Sequence, residues 1–229
     1  LGDVYKRQIV ALLVSELDAE DRVFPRKRVG FSKDGGATIN ISPIPYPSFL
    51  SWIDDETLYM VHAVDEKGTA LSKVELDVDS LEVQTREMLR SETHIALGTQ
   101  GLHGSLVYGI GETFFRDNEV FAVMAEKMQR PFVDGGYVAA VSQNGLSLYV
   151  LDAAGRIVST QRTPEQSICI GVSAARKSVY LTALSPENRV RVWACDFSGK
   201  GGQIILEADC PIVGCGLPHH PPLELIIDD

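Results

Sequence analysis

The side chains able to move a proton or hold a charge are few in this chain and widely spaced. His94 opens the apolar stretch His94-Ile95-Ala96-Leu97-Gly98, and His62 follows Leu58-Tyr59-Met60-Val61. An imidazole is the one side chain whose ordinary pKa lets it act as base or acid near neutral pH. Carboxylates come from Glu66, beside Asp65, and from Glu112, beside Gly109 and Gly111, while Arg116 and Arg130 could hold an anion. Base, acid and anion holder are the parts that hydrolytic chemistry needs. Each residue also has a plain structural reading. His94 could be packed on its strand, and His62 could lie on a strand surface. Glu66 and Glu112 could sit in exposed turns, and the arginines could solvate loops.

Several other chemistries are excluded by motif. The chain has no Gly-x-Ser-x-Gly elbow, no phosphate-binding glycine loop and no His-Glu-x-x-His pair. Gly109-x-Gly111 lacks the third glycine and the βαβ setting of a dinucleotide site, so no cofactor is expected. The four cysteines form no Cys-x-x-Cys pair, and the expectation is reduced, buried thiols in a cytoplasmic protein. Cys210 and Cys215 with His219-His220 form the one cluster with metal-ligand residue types, but the spacing is poor and no metal is expected. A formal net charge of -10 argues against nucleic acid or an anionic membrane as partner. There is no apolar run of about 18 residues to span a bilayer.

The elements that must position these groups read as strands. Thr57-Leu58-Tyr59-Met60-Val61-His62-Ala63-Val64 and Leu71-Ser72-Lys73-Val74-Glu75-Leu76-Asp77 form a pair with a charged turn before each. The phrase returns as Tyr137 to Ser142 with Leu146 to Asp152, and as residues 175–184 with Arg189 to Asp196. From Tyr137 to Tyr180 to Leu223 the step is roughly 43 residues, the spacing of four-stranded propeller blades. Residues 9–17 read as a strand, 81–89 as an outermost strand, and 94–98 and 167–173 as innermost strands. Pro43, Pro45 and Pro47 predict a loop, residues 113–118 a link between strands, and 131–136 a turn. The fold class expected is all-β: a β-propeller of four-stranded antiparallel blades, about five of them present. Leu1 to Gln8 is similar to a translated adapter and is set aside, and Leu223 to Asp228 reads as the start of a further strand. Residues 9–229 are thus expected to form a partial propeller domain, cut at its C-terminal side.

Pro47-Ser48-Phe49-Leu50, the acidic turn, Leu58-Tyr59-Met60-Val61 and the alternating strand ending in Asp77 resemble the lactonase-type seven-bladed β-propellers. That family includes bacterial 6-phosphogluconolactonases. The departures are that His62-Ala63 stands where the family reads Asn-Glu, and that Phe132-Val133 and Ile168-Cys169 are apolar where it carries polar residues. The resemblance implies a hydrolase acting on a small sugar-derived lactone. His94 would be base or oxyanion partner, Glu66 and Glu112 the acids, His62 a further candidate, and Arg116 and Arg130 the substrate-binding cations. The alternative is a propeller that keeps the scaffold and binds a protein or small ligand without catalysis. Trp193-Ala194-Cys195-Asp196 ends a strand as Trp-Asp does in WD40 repeats, but the Gly-His partner is absent.

Overall fold

The computed structural model describes residues 10–16, 26–32, 38–45, 47–53, 57–64, 68–77, 79–99, 102–185, 189–198 and 202–209. Among them are nineteen β-strands and no helix. The chain divides into two compact units, residues 1–97 and 98–229. The strands follow one another as antiparallel meanders. β1 (Val10–Glu16), β2 (Arg26–Ser32) and β3 (Asn40–Pro45) form a three-stranded sheet. Next come β4 (Pro47–Trp52), β5 (Thr57–Ala63), β6 (Thr69–Leu76) and β7 (Val83–Ser91), paired in that order. A third sheet holds β8 (Ile95–Leu97), β9 (Val107–Ile110), β10 (Thr113–Arg116) and β11 (Glu119–Val123). The fourth holds β12 (Phe132–Asp134), β13 (Tyr137–Val141), β14 (Ser147–Asp152) and β15 (Ile157–Arg162). The fifth holds β16 (Ile168–Ser173), β17 (Ser178–Leu184), β18 (Arg189–Asp196) and β19 (Gly202–Asp209).

In the first unit, Val29 and Phe31 of β2 pack on Leu58 and Met60 of β5 and on Val74 and Leu76 of β6. The Phe31 and Trp52 rings meet edge to face, with centroids 6.4 Å apart. Because side chains alternate along a strand, Leu58, Met60 and His62 share one face of the second sheet. Val61 and its cross-strand partners Phe49 and Leu71 share the other. In the second unit the alternation is complete on β13 and β14. Val138, Ala140, Tyr149 and Leu151 join Val107 and Phe114 in one apolar layer. Ala139, Val141, Leu148 and Val150 join Cys169, Val179, Leu181 and Cys195 in the next. A fully buried aliphatic side chain contributes about 1.5–3 kcal/mol, so these layers hold successive sheets together. The outer strands are different, with Val120 and Val123 of β11, Ile157 and Val158 of β15, and Ile204 to Leu206 of β19 all exposed.

The aspartates that end third strands are turn formers. Asp77 Oδ1 accepts from the amides of Asp79 and Ser80, Asp152 Oδ1 from those of Ala154 and Arg156, and Asp196 Oδ1 from that of Ser198. Each is an Asx turn leading to the outer strand.

Four local expectations need correction. Asn40 to Pro45 is a strand rather than a loop, because β3 lies at the end of its sheet order, where a missing N–H breaks no ladder, and Pro47 is the first residue of β4. Thr113 to Arg116 is strand β10, not a link. It ends at Asp117 and Asn118, whose φ values of 49° and 73° suit a tight two-residue hairpin turn. Phe132 to Asp134 is strand β12, and only Gly135-Gly136 (φ 49° and 90°) turns. Leu81 precedes the outer strand in a turn at φ 59°, where the Asn40 side-chain amide donates to its carbonyl at 2.5 Å. Strand β19 is an addition to the elements expected. The segments 1–8 and 223–228 and the Cys210, Cys215, His219 and His220 cluster lie outside the described residues.

Gly155 and Gly104 adopt φ of 78° and 80°, but a Cβ at Gly155 would run into the Phe121 carbonyl oxygen, whereas Gly104 faces open space. Gly104→Ala should therefore cost about 1–2 kcal/mol from backbone strain alone. Gly155→Ala should cost clearly more, read as a lower urea midpoint. Equal losses would mean that β11 and the β14–β15 turn are not in contact.

Candidate functional site

In the first unit, Thr69 at the start of β6 fixes the segment that carries His94. Its hydroxyl donates to the Thr93 carbonyl and accepts from the Ile95 amide, both at 3.3 Å. The imidazole edge then rests on Phe49, with ring centroids 5.6 Å apart and planes at 62°. His94 keeps an exposed edge, yet its packed side removes enough water to hold its pKa below the ordinary histidine value.

His62 is placed differently. Its Nδ1–H donates to the Ala63 carbonyl at 3.3 Å, and Nε2 accepts from the Ser72 hydroxyl at 3.0 Å, the tautomer that satisfies both bonds. A histidine bonded to a serine hydroxyl has the geometry of an activated nucleophile. Ser72, however, is 2% exposed, so no substrate reaches its oxygen, and the pair closes the polar end of the Leu58–Met60 face. By strand alternation His62 lies on the face of Met60 and Ser72, and Phe49, the partner of His94, lies on the opposite face. Glu66 and Asp65 lie outside the described residues.

In the second unit, Glu112 is exposed in the β9–β10 turn. The turn is tied to the 124–131 connection, since the Met124 amide donates to the Glu112 carbonyl at 2.8 Å and the Met128 amide to that of Gly111 at 3.1 Å. Arg130 ends the same connection, its guanidinium 5.6 Å over the Phe132 ring. Glu112 and Arg130 thus flank one segment. Arg116 is at the other end of β10, roughly 13 Å away along the strand. There it donates to the Ala153 carbonyl at 3.1 Å and ties β10 to the β14–β15 turn.

A groove that no sequence motif marks lies beside that connection, lined by polar residues that present more of their apolar stems than of their polar ends. Glu126, Lys127, Gln143 and Asn144 line an open groove of about 360 Å³. The Tyr149 hydroxyl donates to Glu126 Oε1 at 2.9 Å, and the Asn144 amide reaches Oε2 at 3.4 Å. Asn144 is itself oriented, because its Oδ1 accepts from the Ser142 hydroxyl at 2.7 Å and the Leu146 amide at 3.0 Å. Burial and the Glu126 carboxylate both push the Tyr149 hydroxyl above its ordinary pKa. The only signal in sequence was the Asn144-Gly145 turn, and that register brings residue 149 to residue 126 was not visible there.

Elsewhere, Arg191 bonds Glu165 at 2.5 Å and Glu207 at 2.8 Å, joining the 163–167 connection to the outer strand. Cys169 and Cys195 are free and buried, as expected, and burial pushes their thiols up to about 12 and about 11. Strand β17 lies between them, Cys169 opposite Leu181 and Cys195 opposite Val179, so two strand spacings (about 9.6 Å) and a two-residue offset put them beyond disulfide reach. Among the described residues no group of three or more His, Cys, Asp or Glu could hold a metal.

No protein-family model matches the chain, and no curated protein matches it in sequence. Solved structures do match in fold. The Dos1 propeller aligns at a TM-score of 0.54 with 12% identity, over 83% of this chain and 56% of its own. A chain of the mitotic checkpoint complex aligns at 0.53 with 11% identity, over 88% and 76%. Prolyl oligopeptidase B from Galerina marginata aligns at 0.56 with 14% identity, over 89% and 33%. This chain therefore has a β-propeller fold, the described residues forming one three-stranded and four four-stranded antiparallel sheets, and it spans from a third to about three quarters of these proteins. These neighbours include an oligopeptidase as well as a chain of an assembled complex. Likeness at this level of identity defines the fold alone.

The His94 ring proton should titrate with a midpoint below about 6.5 by NMR, and Phe49→Ala should move it back towards that value. Since folding lowers the pKa, the unfolded chain binds the proton more readily just below pH 6.5. The His94 share of stability is therefore present above that pH and lost as pH falls towards the folded pKa. An unshifted midpoint in the wild type would contradict the packing described.

Proposed function

We propose that this protein is a non-catalytic binding scaffold, a β-propeller that meets a protein partner through the connections at its sheet ends. The observation that carries this reading is the dispersal of the described candidate residues. His62 and His94 belong to opposite faces of the second sheet, and Glu112 and Arg116 to opposite ends of β10. His62 and Arg116 are also engaged in structural bonds. General acid–base hydrolysis requires its groups within hydrogen-bonding reach of one reacting centre. The neighbour in an assembled checkpoint complex fits the same reading by analogy of fold.

One observation favours a second reading, the lactone hydrolase. His94 has an exposed edge, a pKa held below the ordinary histidine value by its packed side, and a position fixed by Thr69 and Phe49, which suits a general base. The two readings part in one assay. On 6-phosphogluconolactone and unphosphorylated lactones, the scaffold reading expects no acid release above the spontaneous rate, with His94→Ala identical to wild type. Turnover that falls about 100-fold or more in His94→Ala would establish the hydrolase and overturn the scaffold.

A further inference from the structure

The groove between the 124–131 connection and the β13–β14 turn combines a fixed shape with a fixed charge. Its rims are locked by backbone bonds, Gln143 N to Lys127 O at 2.7 Å and Gln129 N to Val141 O at 2.8 Å. Gln129 Nε2 adds a bond to the Ser142 carbonyl at 3.0 Å. The Glu126 carboxylate is aimed by Tyr149, which is 7% exposed, and by Asn144. Each carboxylate oxygen offers two acceptor sites, so one remains on each after these bonds. Orienting the acceptor in advance removes an ordering cost from binding.

We propose that this groove docks an extended peptide segment that places one Lys or Arg side chain on Glu126. The inference rests on the scaffold reading and names the chemistry of its partner. Gln143 and Asn144 are exposed beside the carboxylate and offer amide donors and acceptors to a peptide main chain. The formal net charge of -10 steers a basic segment towards the protein. Lys127, exposed on the rim, repels a second cation, so the basic residue is flanked by neutral or acidic neighbours. An open, shallow groove suits an extended chain better than an enclosed small molecule.

The test pans a phage-displayed library of random peptides against the full chain, then measures an enriched peptide by fluorescence anisotropy. The peptides should carry an isolated Lys or Arg, and Glu126→Gln, which keeps an acceptor for Tyr149, should weaken binding about tenfold or more. Lys127→Glu, an exposed change that leaves the carboxylate's supports intact, should shift selection towards paired basic residues. Peptides without basic enrichment, or binding unchanged in Glu126→Gln, would overturn the groove while leaving the scaffold reading in place. A library that yields no selective peptide would likewise overturn the groove, while the scaffold reading stands or falls on the lactone assay.

Discussion

The fourth sheet, between the third and the fifth, must cover both of its faces, and most of the second unit follows from that constraint. In β13, Val138 and Ala140 point one way and Ala139 and Val141 the other, all four fully buried. A strand in that position has no room for ionisable groups, since burying one unpaired is costly. Small residues let the sheets approach, and branched ones fill the layers. The outer strands are covered less and carry the exposed valines and isoleucines. Polar chemistry is thereby displaced to the ends of the sheets, where strands enter and leave.

Those ends are rigid because hydrogen bonds tie connection to connection. In the second unit the Thr163 hydroxyl and the Ser167 amide both donate to the Gly145 carbonyl, at 2.7 and 2.9 Å. The Ala174 amide donates to Asp134 Oδ2 at 2.6 Å at the opposite end. Loops held this way present side chains in defined positions without depending on large motions. The groove at Glu126 and the ion cluster of Glu165, Arg191 and Glu207 are both built on such connections. Side chains such as Arg116, by contrast, serve as ties between neighbouring sheets.

Much of the fold was legible in sequence because alternation and turn residues are local signals. The pair around Tyr59 and Leu71, the repeat from Tyr137 to Tyr180 and the aspartates ending third strands all correspond to observed elements. The failures are tertiary in origin. Pro43 and Pro45 are admitted to a strand only because that strand ends its sheet order. Thr113 to Arg116 is a strand because Gly111 and Asp117-Asn118 turn tightly on either side, leaving four residues to pair. For the site, spacing supplied the right residue types but not their faces. The register shift between Pro47 and Phe49 decides which side Phe49, and with it His94, occupies, and no local pattern announces it. The Tyr149–Glu126 bond likewise depends on how two sheets pack.

The measurement that bears most directly on this account is native-state hydrogen exchange, because layered sheets imply graded protection. Amides of β13 and β17, paired on both sides and buried on both faces, should exchange most slowly, and those of β11, β15 and β19 fastest. Equal protection of inner and outer strands would contradict the claim that apolar layers between sheets hold the fold and push its chemistry to the ends.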